Sequence, residues 1–159
     1  MVIGGIVGVV QQQISNYGRK FVYSNLTNNG KIVLTDPENK FNQAYVGGVF
    51  GNFSTLDGTT STLSNLTNDG HITINKGTSS NTLIGCLIAY LGAFNNGSTV
   101  STINFNGCVV GAESQVSLSG GINIIPYAVY GNPLNGNYAP KINLNNFTNS
   151  TVYAPYYTE

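Results

Sequence analysis

The chain has 159 residues, and its six Lys/Arg balance its six Asp/Glu, so the formal net charge is zero. Charged residues make up only 8% of the chain, whereas an ordinary soluble domain has about 25%. This composition leaves no basic surface for nucleic acid and no summed field toward an anionic membrane. Hydrophobic residues, at 41%, suffice for one core in a single domain over residues 1–159. The 23 Asn favour strands and turns over helices.

The chain begins with an apolar stretch over residues 2–10. Nine residues are too few to cross a bilayer, and no basic segment precedes them. We expect an ordinary buried strand here; a cap, a first coil or a strand donated to a neighbour are the alternatives. Because no export signal is visible, an extracellular role implies either a domain of a longer exported protein or a virion component.

Internal repeats are the most informative feature of the sequence. Residues 24–34 return as residues 64–74, a displacement of 40, and both copies contain Ser-Asn-Leu-Thr-Asn. Residues 2–8, with Val-Ile-Gly-Gly, are echoed by residues 45–51, with Tyr-Val-Gly-Gly, a displacement of 43. Weaker copies follow near residues 83–109 and 119–152. The sequence therefore predicts four repeat units along the chain.

Each unit contains short β-branched or aromatic runs around a turn, such as Asn29-Gly30 or Asp69-Gly70, and no stretch keeps a helical period. The prediction is an all-β fold, in which such turns are either corners of a parallel solenoid or hairpins of an antiparallel sandwich or jelly roll. The near-constant interval favours a parallel β-solenoid of about four double-coil repeats, with roughly 20 residues in each coil. The sandwich remains the alternative.

One unit also resembles a known repeat. Residues 47–51, Gly-Gly-Val-Phe-Gly, are followed by Gly58, Leu63-Ser64-Asn65 and Gly-His-Ile-Thr at 70–73. This pattern resembles the GLUG repeat of bacterial surface proteins, and two of the four units match it well. The resemblance implies a parallel β-solenoid stalk or adhesin outside the cell, with a scaffold or adhesive role, and it supplies no catalytic positions.

The last part of the chain differs from the rest. Repeats are more regular over residues 1–118, whereas residues 119–159 contain a degraded repeat rich in Tyr and Pro. Proline is excluded from central strand positions, and tyrosine offers a large contact area at little entropic cost. We expect an irregular cap or a subunit interface here, and the candidate interface residues are Tyr127, Tyr130, Tyr138, Tyr153, Tyr156 and Tyr157.

Residue patterns that carry catalysis are missing from the sequence. His71 is the only histidine, and its repeat counterpart is Lys31, an exchange typical of a solvated position. There is no Gly-x-Ser-x-Gly motif, no zinc or calcium spacing and no pair of carboxylates placed as in a glycosidase. The sequence therefore predicts neither an enzyme nor a cofactor or metal site.

Two kinds of covalent modification are open. Cys86 and Cys108 are 22 residues apart, about one assumed coil, which predicts that they lie on adjacent coils and either form a disulfide or stay as buried thiols. Asn-x-Ser/Thr sequons make six asparagines candidates for N-glycosylation if they are exposed. These are Asn25, Asn52, Asn65, Asn96, Asn146 and Asn149.

Together these features predict a non-enzymatic structural subunit of an extracellular assembly, a virion component or a surface filament built by subunit contacts. Its expected partners are copies of itself or other structural subunits, with no nucleic acid and no membrane span. The alternative is a surface adhesin module that binds glycan or host through exposed Tyr and Asn.

Overall fold

The computed structural model describes residues 1–12, 18–77, 81–94, 100–112, 114–120, 127–131 and 140–149. Across these residues the chain forms short β-strands and no helix. Every strand pairing is parallel, and the strands stack into five sheets. The protein is therefore a parallel β-solenoid, which confirms the all-β solenoid prediction over the antiparallel sandwich.

Each of the first three coils contributes one strand to each sheet. The first coil contains β1 (Val2–Gly4), β2 (Val7–Gln11), β3 (Lys20–Ser24), β4 (Thr27–Asn28) and β5 (Ile32–Asp36). The second contains β6 (Gln43–Gly47), β7 (Phe50–Leu56), β8 (Thr60–Ser64), β9 (Thr67–Asn68) and β10 (Ile72–Lys76). The third contains β11 (Asn81–Gly85), β12 (Ile88–Phe94), β13 (Thr102–Asn106), β14 (Val109–Val110) and β15 (Val116–Gly120). The described part of the fourth contains β16 (Lys141–Asn145) and β17 (Thr148–Asn149).

The sheets are named here by the coil position that forms them. Sheet A contains β1, β6 and β11, and sheet B contains β2, β7 and β12. Sheet C contains β3, β8, β13 and β16, and sheet D contains β4, β9, β14 and β17. Sheet E contains β5, β10 and β15. In the fourth coil, bridges from Tyr127 to Gly85 and from Tyr130 to Ile88 extend sheets A and B.

The strand register shows that one sequence repeat is one coil, so the prediction of two coils of about 20 residues per repeat is wrong. Val2 pairs with Tyr45, whereas Ile32 pairs with Ile72. Between the first and second coils, the displacement of 43 is therefore the register of sheets A and B. The displacement of 40 is the register of sheets C, D and E. The difference arises between sheets B and C, because Gln11 to Lys20 spans three residues more than its counterpart, Ser54 to Thr60.

Two apolar clusters fill the solenoid. The larger lies among sheets B, C and D and includes Phe50, Phe53, Leu63, Leu66 and Phe105. The smaller lies between sheets A and E and includes Val46, Ile74 and Ile84. Alternate side chains of each strand point inward, because successive residues of a strand face opposite sides of its sheet.

The Gly-Gly element of the repeat makes the corner between sheets A and B. A Cβ atom on Gly4, Gly47 or Gly85 would lie 1.9, 1.8 or 1.8 Å from the carbonyl oxygen three residues later. No side chain fits at that distance, so glycine is required wherever the chain turns this tightly. This close approach explains why a glycine recurs at this corner in the first three coils, as Gly4, Gly47 and Gly85.

The Ser-Asn-Leu-Thr element makes the corner between sheets C and D. The residue at this corner has a left-handed backbone in all four coils: Asn25, Asn65, Gly107 and Asn146 have φ between 53° and 62°. Asparagine and glycine are the residues that adopt this conformation most readily. The corner is thus set by the first Asn of the motif, whereas the Asn-Gly and Asp-Gly turns named from the sequence lie four residues later.

The fourth coil falls in the region predicted to be degraded or capping, residues 119–159. Most of that region lies outside the described residues. Its described strand β16 keeps the full register with β13, from Lys141 opposite Thr102 to Asn145 opposite Asn106. The solenoid therefore continues past residue 118 in sheet C.

Candidate assembly surface and the buried Lys76 cluster

The first coil forms one open end of the solenoid in the described structure. Each of its strands, β1 to β5, lies at the edge of its sheet and pairs on one side only, with the second coil. Their other edges present unpaired N–H and C=O groups, which are a template for pairing with another strand.

Apolar side chains that point inward are incompletely covered at this end. Val7, Tyr23 and Leu26 of the first coil are only partly buried, although they pack against the larger cluster. The residues that occupy the same positions in the second coil, Phe50, Leu63 and Leu66, are fully buried. The difference arises because the second coil has a neighbour above and below, whereas the first has one on a single side.

The outward face of the first coil is also apolar. Val22 is 70% exposed and Val33 is 55% exposed. The register partners of these two valines in the second coil are polar: Thr62 lies opposite Val22, and Thr73 lies opposite Val33. Six of the nine large apolar side chains exposed in the described residues belong to this coil: Met1, Val2, Ile6, Val9, Val22 and Val33. We call the open edges and these six residues the first-coil surface.

The sequence did not single out this surface as a whole. It named residues 2–10 as an apolar first coil, cap or donated strand and favoured an ordinary buried strand. In the structure these residues form β1 and β2, and Val2 and Val9 are exposed. The contrast of Val22 and Val33 with their polar repeat counterparts was the available signal, because it can be read by aligning residues 20–36 with 60–76.

The candidate interface tyrosines divide into two groups. Tyr138, Tyr153, Tyr156 and Tyr157 lie outside the described residues. Tyr127 is half-buried, and Tyr130 is 6% exposed within the larger apolar cluster. Tyr130 was expected to face a partner, but in the structure it packs inside the solenoid and offers almost no surface.

Three of the candidate glycosylation sites, Asn25, Asn65 and Asn146, are exposed at the left-handed corner. Asn65 Nδ2 also donates a hydrogen bond of 3.1 Å to Asn25 Oδ1 in the first coil. The nitrogen that a glycan would modify on Asn65 is therefore already hydrogen-bonded. Asn52 and Asn149 are half-buried, and Asn96 lies outside the described residues. The corner geometry explains these three sequons: a left-handed Asn, an inward apolar residue and a Thr that opens the next strand.

Cys86 and Cys108 are both buried free thiols, so the disulfide that the sequence left open is absent. They lie on the same coil, and the prediction of adjacent coils is wrong because a coil has about 40 residues instead of 20. Burial raises the pKa of the Cys86 thiol to about 11 and shifts the pKa of Cys108 in the same direction. Neither thiol is therefore placed or ionised as a nucleophile.

Lys76, at the end of β10, is fully buried and lies at the centre of a polar cluster that sequence reasoning missed. Its Nζ donates to Asp36 Oδ2 at 3.0 Å, and it also contacts the side-chain oxygen of Asn39 and the backbone oxygen of Phe41. Asp36 is the register partner of Lys76 and is 3% exposed. We call Lys76, Asp36 and Asn39 the Lys76 cluster.

The loop after β5 wraps around the Asp36 carboxylate. The N–H of Lys40 donates to Oδ1 at 2.7 Å, and the N–H of Phe41 donates to Oδ2 at 3.1 Å. Burial alone raises the pKa of Asp36 and is the largest influence, but the hydrogen bonds from Lys76, Phe41 and Lys40 and the Lys76 charge together outweigh it. The pKa of Asp36 is therefore below its ordinary value, and the carboxylate is ionised at neutral pH.

The described residues contain no group of three or more His, Cys, Asp or Glu side chains that could hold a metal ion. Within the same part of the chain, no helix is long and apolar enough to cross a membrane. Comparisons with protein-family models, with curated proteins and with solved structures give no match. The first-coil surface and the Lys76 cluster are therefore the two candidate functional sites in the described residues.

Proposed function

We propose that the protein is a non-enzymatic structural subunit of an extracellular assembly, joined to further copies of itself through the first-coil surface. The observation that carries the proposal is the combination of unpaired strand edges and outward apolar residues on the same coil. Exposed apolar side chains next to open β-edges are a recognised signature of an interaction site.

The chemistry of the surface supports a partner that is itself a β-solenoid. The open edges of all five first-coil strands are at the same end of the solenoid, and each strand pairs in parallel with the second coil on its other side. Another coil in the same arrangement can therefore pair with all five edges. The rows of the solenoid already show such stacking inside the chain, from the first coil to the third or fourth. A second copy of this chain offers coils with that strand arrangement and spacing.

An extracellular location is the part of this proposal that rests on sequence alone. The chain is poor in charge and rich in Asn, and its resemblance to GLUG repeats of surface proteins implies the same location. A virion component and a surface filament both fit, and electron microscopy of purified material separates them, because one gives shells or particles and the other gives fibres.

The test of assembly uses matched substitutions on the same rows. We expect the purified chain to form oligomers that grow with concentration in sedimentation velocity. Val22→Glu with Val33→Glu places two charges on the first-coil surface and shifts the population to monomer. Thr62→Glu with Thr73→Glu places the same charges one coil further on and leaves assembly unchanged.

Two results would contradict this proposal. One is a monodisperse monomer at high protein concentration. The other is equal loss of assembly in both double variants, since that outcome would trace assembly to the lateral faces instead of the open end. Circular dichroism of each variant establishes that the strands are intact.

A second candidate function, glycan binding by a surface adhesin, is favoured by one observation. Tyr45 and Tyr90 stack on the outside of sheets A and B, with ring centroids 5.1 Å apart and planes inclined by 14°. Asn52, the register partner of Tyr90, offers an amide beside this pair. Aromatic faces next to amides suit sugar rings, and glycan-array binding lost in Tyr90→Ala but kept in Thr62→Ala would support this function over assembly.

A further inference from the structure

We propose that Lys76 and Asn39 become joined by an intramolecular amide bond, formed by attack of Lys76 Nζ on the side-chain carbonyl carbon of Asn39 with release of ammonia. Asp36 carries the proton between the amine and the leaving group. This inference rests on the Lys76 cluster alone and does not depend on the proposed assembly.

The first argument is the placement of the three groups. Lys76 Nζ contacts Oδ1 of the Asn39 side chain, the oxygen bonded to the carbonyl carbon Cγ, and lies 3.0 Å from Asp36 Oδ2. A nucleophile held against its electrophile converts a bimolecular reaction into a unimolecular one, which removes much of the entropic part of the barrier. The fold thus supplies the largest requirement for amide formation.

The second argument is the exclusion of water. Lys76 is 0% exposed and Asp36 is 3% exposed. The amine and the carboxylate are therefore shielded from bulk water, whereas Asn39 is half-buried. A shielded site strengthens the electrostatic interactions that hold the reacting groups in place.

The third argument is the conformation of Asn39. Its backbone is left-handed, with φ of 54°, and its N–H donates a hydrogen bond of 3.0 Å to the Asp36 carbonyl oxygen. A Cβ added to Gly77 would lie 2.9 Å from the Cβ of Asn39, so the glycine after Lys76 leaves the room that Asn39 occupies. The loop is therefore built to bring this amide onto the end of β10.

The proposed reaction balances without an oxidant or a cofactor. The Asp36 carboxylate takes one proton from the Lys76 ammonium, and the free amine attacks Cγ of Asn39 to give a tetrahedral intermediate. Asp36 then returns the proton to Nδ2, the Cγ–Nδ2 bond breaks, and the Nζ–Cγ amide remains. Nζ gives up two protons in all: one reaches Nδ2 through Asp36 and leaves in ammonia, and the second protonates that ammonia, so ammonium is released.

The bond would tie the first coil to the second. It closes the chain between residues 39 and 76, and it lies beside the turn that leads from β5 to β6. A covalent link that closes a loop of this length restricts the unfolded chain and disfavours peeling of the open end. The link would stabilise the open end that the first coil forms.

The test is the intact mass of the purified, denatured full chain. We expect a mass lower than that of the sequence by one ammonia, and a tryptic map in which Lys76 resists cleavage and residues 32–40 remain attached to the peptide that contains it. Lys76→Met, Asn39→Gly and Asp36→Asn should each restore the full mass. Glycine is chosen at position 39 because it keeps the left-handed backbone.

Lys40→Met is the matched control. Lys40 lies in the same loop, but its Nζ pairs with Glu38 at an exposed site, so this variant should keep the mass deficit. A wild-type chain with its full mass would overturn the inference, and this measurement does not depend on whether any variant folds. A deficit that persists in Lys76→Met, or one equal to water with Asp36 as the linked residue, would overturn it too.

Discussion

The first two coils of this solenoid share sequence, strand register and corner geometry, yet they differ in how completely they are packed. In the second coil Phe50, Leu63 and Leu66 are fully buried, whereas Val7, Tyr23 and Leu26 in the same rows are partly covered. On its outer face, the second coil has Thr62 and Thr73 at the positions where the first coil has valine. The repeat therefore specifies the coil, and its position in the stack decides whether it is core or surface.

The largest expected effect contrasts a corner glycine of the second coil with a glycine inside a strand of the first. Gly47→Ala places a Cβ 1.8 Å from the Phe50 oxygen, and we expect a loss of more than about 4 kcal/mol in the free energy of unfolding, with little folded protein. Gly8→Ala in β2 meets no atom within 4 Å and should change stability by less than about 0.5 kcal/mol. Expression in the soluble fraction and circular dichroism compare the two; an equally stable Gly47→Ala chain would disprove the tight corner.

A smaller effect is expected from replacing the leucine at the corner between sheets C and D. Leu26 and Leu66 occupy the same position in the first and second coils, so their comparison isolates the effect of the coil. Leu66→Ala should lower the free energy of unfolding by about 3 kcal/mol, because it leaves a cavity in a closed core. Leu26→Ala should cost about 1 kcal/mol, because a half-buried side chain has less to lose. Denaturant unfolding of dilute protein measures both, and equal costs would mean that the first coil is already covered.

The smallest effect concerns thiol reactivity and leaves stability nearly unchanged. Cys108 occupies in the third coil the position that Leu26 has in the first. Burial raises the pKa of Cys108, so this thiol should resist alkylation in the folded chain. In a Leu26→Cys chain the new thiol should react faster than Cys108 when the protein is dilute and lose this advantage once it assembles.

Peptide mapping of the alkylated chain at two protein concentrations separates the two sites. Cys108 serves as the internal control, because its environment does not depend on assembly. Rapid labelling of the Leu26→Cys thiol at every protein concentration would contradict the proposal that subunits assemble through the open end.

Several features of the fold follow from local sequence. The Gly-Gly pair marks a corner because only glycine tolerates a carbonyl oxygen at that distance. Asn25 and Asn65 mark another corner because asparagine adopts the left-handed backbone at low cost. Alternation in residues such as Ile72 and Ile74 marks an inward face. Each of these signals involves residues that are neighbours in the chain.

The predictions that proved wrong depended on contacts between distant residues. The number of strands per repeat decides whether 40 residues make one coil or two, and no local pattern specifies it. The placement of Cys86 and Cys108 followed from the same assumption and was wrong for that reason. Tyr130 was assigned to an interface from composition, but it pairs with Ile88 and completes the core.

The sequence by itself determined the class of fold, the repeat and its corners, because strand propensity and turn conformation are properties of short segments. Only the tertiary structure decided which coil is the open end and which side chains meet across coils. Asp36 and Lys76 are 40 residues apart and became partners when two coils stacked in register. The proposed amide bond and the proposed interface both arise at this level, because stacking brings distant residues together and leaves the edge of the first coil uncovered.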